Sequence, residues 1–232
     1  MLRRNFTAGL AGVAGLGAIS ALPQAVQAAG ISEGDAALGV RAALERGASA
    51  AVDLLGRNGG FIDNPRVRIE LPGYLKEAAK LLKYTGQQKR VDELVTAMNR
   101  AAEAAVPAAK GLLVGAVKAM SVEDAKQIIM GSDTAATQFF VAKTRAPLTV
   151  KLLPIVTQAT QKASLAEKYN AVAGKAADMG LVGKDDAKIE HYVTGKTLDG
   201  LYLMIAEEER KIRKDPLGTG SAILRKVFGS LK

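Results

Sequence analysis

Residues 88–120 read QKRVDELVTAMNRAAEAAVPAAKGLLVGAVKAM, the longest helical pattern in the chain. Apolar side chains recur there at steps of three and four residues, the spacing of one face of an α-helix. They are Val91, Leu94, Met98, Ala102, Ala105, Ala109, Leu112 and Ala116. Pro107 lacks the N–H that the helix ladder needs, so we expect a kink or a break there. The stretch predicts a long helix with one buried face, and hence a helical fold.

The same spacing continues on both sides of this stretch. Ser32 with Asp35 forms a capping-box pattern, and Ser121 with Asp124 forms a second one. The first box opens an apolar stripe made of Ala37, Val40, Leu44, Ala48, Ala51 and Leu55. Further helices are predicted for 73–84, 133–147, 148–163, 164–179, 185–214 and 221–231, and Ser132 or Asp133 is expected to cap the helix at 133–147.

Residues 61–72 depart from this spacing. Apolar residues alternate there with charged ones, Val67, Ile69 and Leu71 with Arg66, Arg68 and Glu70. This period of two predicts a short extended segment, which must pair with 61–62 or lie over the helices to satisfy its backbone. The predicted fold is therefore all-α: residues 29–232 form a single-domain helical bundle of seven to nine helices with one short extended segment near 61–72.

Residues 1–28 have the pattern of a cleavable export signal. Arg3 and Arg4, followed by Phe6, resemble the R-R-x-F pattern of the twin-arginine pathway. A weakly apolar Gly/Ala-rich run leads to small residues that end at Ala28, where a signal peptidase can cut. An ordinary Sec signal that holds two arginines is the alternative. We expect cleavage near Ala28 and a periplasmic location.

The composition excludes several classes of site. The chain has no cysteine, no tryptophan and a single histidine, His191, so disulfides, thiol nucleophiles and His-rich metal sites are excluded. Removal of the signal lowers the net charge from +9 to +7. Such a basic surface suits anionic lipid head groups or acidic proteins, or it simply keeps the chain soluble. No nucleic-acid motif, catalytic residue, metal site or cofactor is identifiable, and the oligomeric state is not indicated.

Polar residues on one predicted helix form the first candidate binding site. Thr134 and Thr137 share a face, with Asp133 and Gln138 near them. Threonine hydroxyls can line a polar pocket, or they can donate to carbonyls one turn earlier.

Three consecutive glutamates form the second candidate site. Glu207–Lys211 and Glu209–Arg213 have i,i+4 spacing and are predicted to be surface salt bridges. Glu208 instead falls on the apolar stripe of Leu198, Leu201, Ile205 and Ile212. A carboxylate near that stripe must be paired, metal-bound or shifted in pKa, unless it is a boundary residue that a nearby Lys or Arg neutralises.

Several longer strings resemble those of an uncharacterised bacterial family, domain of unknown function 4197. They are GF at 60–61, IELP at 69–72, NRAAEAAVP at 99–107, DAKQIIMGSDTAATQFF at 124–140, KYN at 168–170, YVTGKTLDGLYLMIAEEERKIRKDP at 192–216 and KVFG at 226–229. The resemblance implies an exported, mostly helical protein, and it brings no established activity, cofactor or catalytic residue. The chain departs from the family pattern at 217–220. The most family-like stretches, 133–140 and 199–213, contain both candidate sites and add Asp199 and Arg213 to them.

Three functions remain open. The first is a non-enzymatic periplasmic protein that binds a small or lipidic ligand, or an envelope partner, inside a helical bundle. The second is a metal-dependent or carboxylate-based hydrolase that uses acids such as Asp133, Asp199 and Glu208. The third is a structural protein of an anionic membrane surface that uses the basic amphipathic segment 221–231.

Overall fold

The computed structural model describes residues 33–73, 75, 88–161 and 188–215. This part of the chain is helical and contains no strand. Its helices are α1 (Glu33–Leu55), α2 (Gln88–Ala105), α3 (Lys110–Lys118), α4 (Val122–Met130), α5 (Ala135–Thr160) and α6 (Ile189–Lys214). The all-α prediction is confirmed. The helices predicted at 164–179 and 221–231, and nearly all of that at 73–84, lie outside the described residues, so the count of seven to nine and the single domain stay predictions.

Helices α5 and α6 make the most extensive contact of the bundle. They run antiparallel, since Thr137 contacts Glu209 near one end and Arg145 contacts Asp199 farther along. Helix α1 packs on α6, α3 and α4, and all six residues of its predicted stripe are buried. The apolar spacing therefore identified the packed face of α1 correctly.

Pro107 interrupts the long stretch as predicted. Residues Val106–Ala109 form a 3-10 turn that joins α2 to α3. The predicted stripe is buried up to this turn. Beyond it the buried residues are Leu113 and Val117 rather than Leu112 and Ala116, because α3 begins after the turn and packs on α1 and α5 with a face of its own.

Helix α5 contradicts the two helices predicted at 133–147 and 148–163, because it is one helix that contains Pro147 and Pro154. Both prolines lie on the solvent-exposed side. The carbonyls that lose their donors belong to Lys143 and Val150, which are exposed too, so water can satisfy them. The helix therefore continues through both prolines.

The segment between α1 and α2 begins with turns, and no strand pairing occurs within its described residues. Gly59 has φ +84°, the left-handed conformation that glycine favours. Alternate residues from Val67 to Leu71 are buried, which confirms the predicted alternation. Of the two predicted arrangements, pairing with 61–62 does not occur and the segment lies over the helices: the Asn99 side chain accepts from Ile69 N at 2.8 Å and donates to Ile69 O at 2.9 Å. A side chain of α2 thus takes the place of a neighbouring strand.

Asn99→Ala is expected to lower the free energy of unfolding by about 2–3 kcal/mol, because it leaves the buried N–H and C=O of Ile69 without partners. Urea unfolding of the two proteins measures the difference. Thr96→Ala, at an exposed position of the same helix, is the control and should change the value by less than about 0.5 kcal/mol. Equal stabilities of Asn99→Ala and the control would show that Asn99 does not hold the segment.

Candidate functional site

Glu209 is the carboxylate that lies in the seam between α5 and α6. Its side chain is 6% exposed. It accepts hydrogen bonds from Ala136 N at 3.0 Å, Thr137 N at 2.9 Å and the Thr137 hydroxyl at 2.8 Å. Arg213 pairs with it at 3.0 Å and donates to Ile128 O at the end of α4. One ion pair therefore joins α4, α5 and α6.

This arrangement corrects the predicted cap of α5. Ser132 or Asp133 was expected to cap α5, but its N-cap residue is Thr134, which makes no capping bond. Glu209 supplies the acceptor instead, and its negative charge suits the positive end of the helix dipole.

The predicted roles of the three glutamates are also partly wrong. Glu208 is the boundary residue of the second alternative: its side chain is 25% exposed and pairs with Lys211 at 2.6 Å. Glu207 pairs with Arg66 across the bundle rather than with Lys211. The Glu209–Arg213 pair does form, but it is buried rather than on the surface. A helix of this length meets α1 and α5 on two sides, so a single stripe did not identify the seam.

Glu103 on α2 forms a second buried carboxylate network, which the sequence analysis missed. Its Oε1 accepts from Phe61 N at 3.0 Å and Ile62 N at 3.1 Å, and its Oε2 pairs with Arg100 at 2.6 Å. Burial alone would raise the pKa of Glu103, but the hydrogen bonds from Arg100, Ile62 and Phe61 outweigh it and hold that pKa below its ordinary value. The feature of the sequence that pointed to its burial was its position directly after the predicted core residue Ala102.

The space beside Glu209 is small. A void of about 20 Å³ lies between α1, α4, α5 and α6, lined by Glu209, Arg213 and apolar side chains. Such a volume has room for about one water molecule. This void is too small for a lipid or a metabolite.

The other predicted site residues do not converge. Asp133 and Gln138 are exposed, and Thr134 is half-buried at the start of α5. Asp199 and Glu208 are nine residues apart on α6, about 13 Å along its axis. The structure brings together only Thr137 and Arg213, both through Glu209. Binding by the predicted residues stays a prediction.

Asp199 lines an open groove on the other side of α6. We call it the α6 groove: residues 66–73 form one wall, and Tyr192, Lys196, Asp199, Gly200 and Leu203 form the other. Its volume is about 410 Å³, within the range of ligand sites. The absence of a side chain at Gly200 lets the two walls meet, since a Cβ there would lie 2.9 Å from Phe61 Cε1 and 3.2 Å from Val67 Cβ.

Charged side chains surround the α6 groove. Arg68 pairs with Glu70 at 2.7 Å, and Asp199 pairs with Arg145 at 2.8 Å. Lys196 lies 3.9 Å from Asp199 and its ammonium lies over the Tyr192 ring. All the charged partners in these pairs are 41–56% exposed, so each pair contributes little to stability.

Neither a metal cluster nor a single membrane span is found among the described residues. No group of three His, Cys, Asp or Glu side chains there is placed to hold a metal ion. No one helix in this part of the chain has the length and hydropathy needed to cross a membrane. Gln88–Lys118 and Val122–Met130 pass that test only as a pair, bent by 101°.

Comparison with known proteins gives one match. Residues 30–229 match a family described as a protein of unknown function, DUF4197. The chain belongs to the DUF4197 family. No curated protein and no solved structure shows significant similarity to it. In this DUF4197 chain, Asn99, Glu103 and Glu209 fall within the strings on which the resemblance rests, so those strings contain residues that hold the fold.

Adjacent glutamates on α6 provide a test of the buried ion pair. Glu209→Ala should lower the free energy of unfolding by about 3–5 kcal/mol, because it leaves Arg213 and two amides of α5 without their acceptor. Glu208→Ala, the matched control, should lower it by less than about 1 kcal/mol. Urea unfolding measures both, and equal losses would refute the assignment of the seam carboxylate to Glu209.

Glu103 should make stability depend on pH. Because its folded pKa lies below the ordinary value of 4.5, its stabilisation is present above about pH 4.5 and is lost as pH falls through the folded pKa. Glu103→Gln should therefore flatten the fall in unfolding free energy between about pH 5 and pH 3. Chemical unfolding at several pH values measures the slope, with Glu93→Gln at an exposed site as control. An unchanged slope for Glu103→Gln would contradict this role.

Proposed function

We propose that this DUF4197 chain is an exported, non-enzymatic binding protein of the bacterial cell envelope, and that the α6 groove is its binding site. The observation that carries the proposal is a groove of ligand-site size with one wall fixed by hydrogen bonds and with exposed ion pairs around it. Asp199 is the predicted site residue that lines it.

The buried carboxylates support binding at a surface rather than chemistry in the interior. Glu103 and Glu209 each accept two backbone N–H groups and pair with an arginine. These bonds occupy the oxygens of both carboxylates, so neither is free to contact a substrate. The acids of the hydrolase hypothesis, Asp133, Asp199 and Glu208, are spread over the bundle.

The wall of the α6 groove that residues 66–73 form is held by the helices. Asn99 bonds Ile69, the Tyr192 hydroxyl donates to Glu70 O at 2.9 Å, and Glu103 bonds Phe61 and Ile62, shortly before this wall in the chain. Because this wall is already ordered, little conformational entropy is lost from it when a partner binds. The exposed ion pairs at the rim can exchange their partners for charges on a ligand, because the energy lost is small.

The N-terminal pattern supports export. Arg3, Arg4 and Phe6 fit a twin-arginine signal, and the small residues up to Ala28 fit a cleavage site. In the periplasm, the partner is a small molecule, a lipid or an envelope protein. The third hypothesis depends on residues 221–231, which lie outside the described part of the chain.

Native mass spectrometry of the protein purified from the periplasm tests this function. The polypeptide mass should correspond to a chain that begins near Ala29, and the native sample should carry an additional mass that is lost on denaturation. The double change Lys196→Glu with Asp199→Lys should remove that mass, since it inverts the rim charges while keeping the net charge.

The control is Lys89→Glu with Glu93→Lys, an exposed pair of the same charges on α2. It should keep the additional mass. A wild-type protein without any additional mass, or a mass that survives the change in the groove, would contradict the proposed site.

A further inference from the structure

The peptide planes around Ile69 fix the direction of two backbone groups. In a trans peptide the C=O of one residue and the N–H of the next point in opposite directions, and no cis peptide bond is present in the described residues. Both the N–H and the C=O of Ile69 point at the Asn99 side chain on α2. The C=O of Arg68 and the N–H of Glu70 therefore point away from α2.

Among the described residues, neither of these two groups has a hydrogen-bond partner. The remaining groups on that edge are occupied: Arg68 N donates to Asn64 O at 2.8 Å, and Glu70 O accepts from Tyr192. Within the part of the chain that the structure describes, no bond is made by Arg68 O or Glu70 N. Arg68, Ile69 and Glu70 all line the α6 groove.

This pattern of free groups selects one kind of pairing. An antiparallel strand would use the N–H and C=O of the same residue, and Arg68 and Glu70 each have one of the two already bonded. In a parallel pair, one residue of the added strand bonds two groups of the existing strand: the C=O of one residue and the N–H of the residue two positions later. Arg68 O and Glu70 N are such a pair.

We propose that the α6 groove binds an extended peptide segment of an envelope protein, which pairs in parallel with residues 68–70 through Arg68 O and Glu70 N. The inference rests on the proposed function and specifies its partner. Adding a strand to a free edge is a common mode of peptide recognition, in which main-chain bonds give affinity and neighbouring pockets select side chains.

The walls of the α6 groove fit such a segment. Leu71, Pro72 and Leu203 offer apolar contacts, while Arg68, Glu70, Lys196 and Asp199 offer charges of both signs. Successive side chains of an extended peptide point to opposite sides, so one set meets the groove and the other meets solvent. Because cations and carboxylates both line the groove, the expected peptide carries charges of both signs.

Selection of displayed peptides tests the proposal. The exported chain is used to select short linear peptides from a phage-displayed library, and the most enriched peptide is synthesised with a fluorescent label. Its Kd is measured by anisotropy for Glu70→Pro and Glu70→Ala. Both variants lack the carboxylate, and only the proline variant lacks the N–H, so Glu70→Pro should bind about tenfold more weakly than Glu70→Ala. Equal affinities would overturn the proposal.

The direction of the peptide gives a second test, on the unchanged protein. A nitroxide at the peptide N terminus should broaden the amide signal of Val67 more than that of Gly73 if the strands are parallel. Greater broadening of the Gly73 signal than of the Val67 signal would overturn parallel pairing. If Glu70→Pro does not fold, this measurement tests the proposal in its place. A library that yields no enriched peptide also overturns the inference. The proposed function would then still stand if native mass spectrometry shows a groove-dependent mass.

Discussion

The fold depends on one requirement: buried backbone groups that are not bonded within a helix need partners, and no sheet is available in the described part of the chain to supply them. Side chains of the helices meet this requirement. Asn99 pairs with both polar groups of Ile69, Glu103 accepts from two consecutive amides, and Glu209 accepts from two amides at the start of α5. Each of these bonds joins segments far apart in sequence. They fix the turns and helix starts that apolar packing leaves undetermined.

The sequence predicted those features that depend on residues only a few positions apart. The stripe of α1, the capping box at Ser121 and the interruption at Pro107 are all local, because the residues that make them lie within a turn or two of each other. Their energies come from the helix itself and from the face it buries. These parts of the fold were therefore visible in the sequence.

The features that were mispredicted depend on distant residues. The sequence placed Glu209 at the surface and Glu208 on the stripe or at its boundary, but which of the two is buried is set by how α6 rotates between α1 and α5. A proline usually ends a helix, but Pro147 does not, because tertiary packing turns it towards solvent. Asn99 directly follows a core residue, as many polar residues beside an apolar stripe do, so nothing in the sequence distinguished it. Its partner, thirty residues earlier, is known only from the structure.

The same requirement also explains why the candidate site lies at the surface. A lone extended segment has two edges, and planar trans peptides make these edges face opposite ways. Asn99 occupies one edge at Ile69, so α2 cannot reach the other. Tyr192 meets only one group of the outer edge, and its hydroxyl has a single proton to donate to Glu70 O. A fold that places one extended segment among helices is thus left with an open edge, which must be satisfied by water or by another chain.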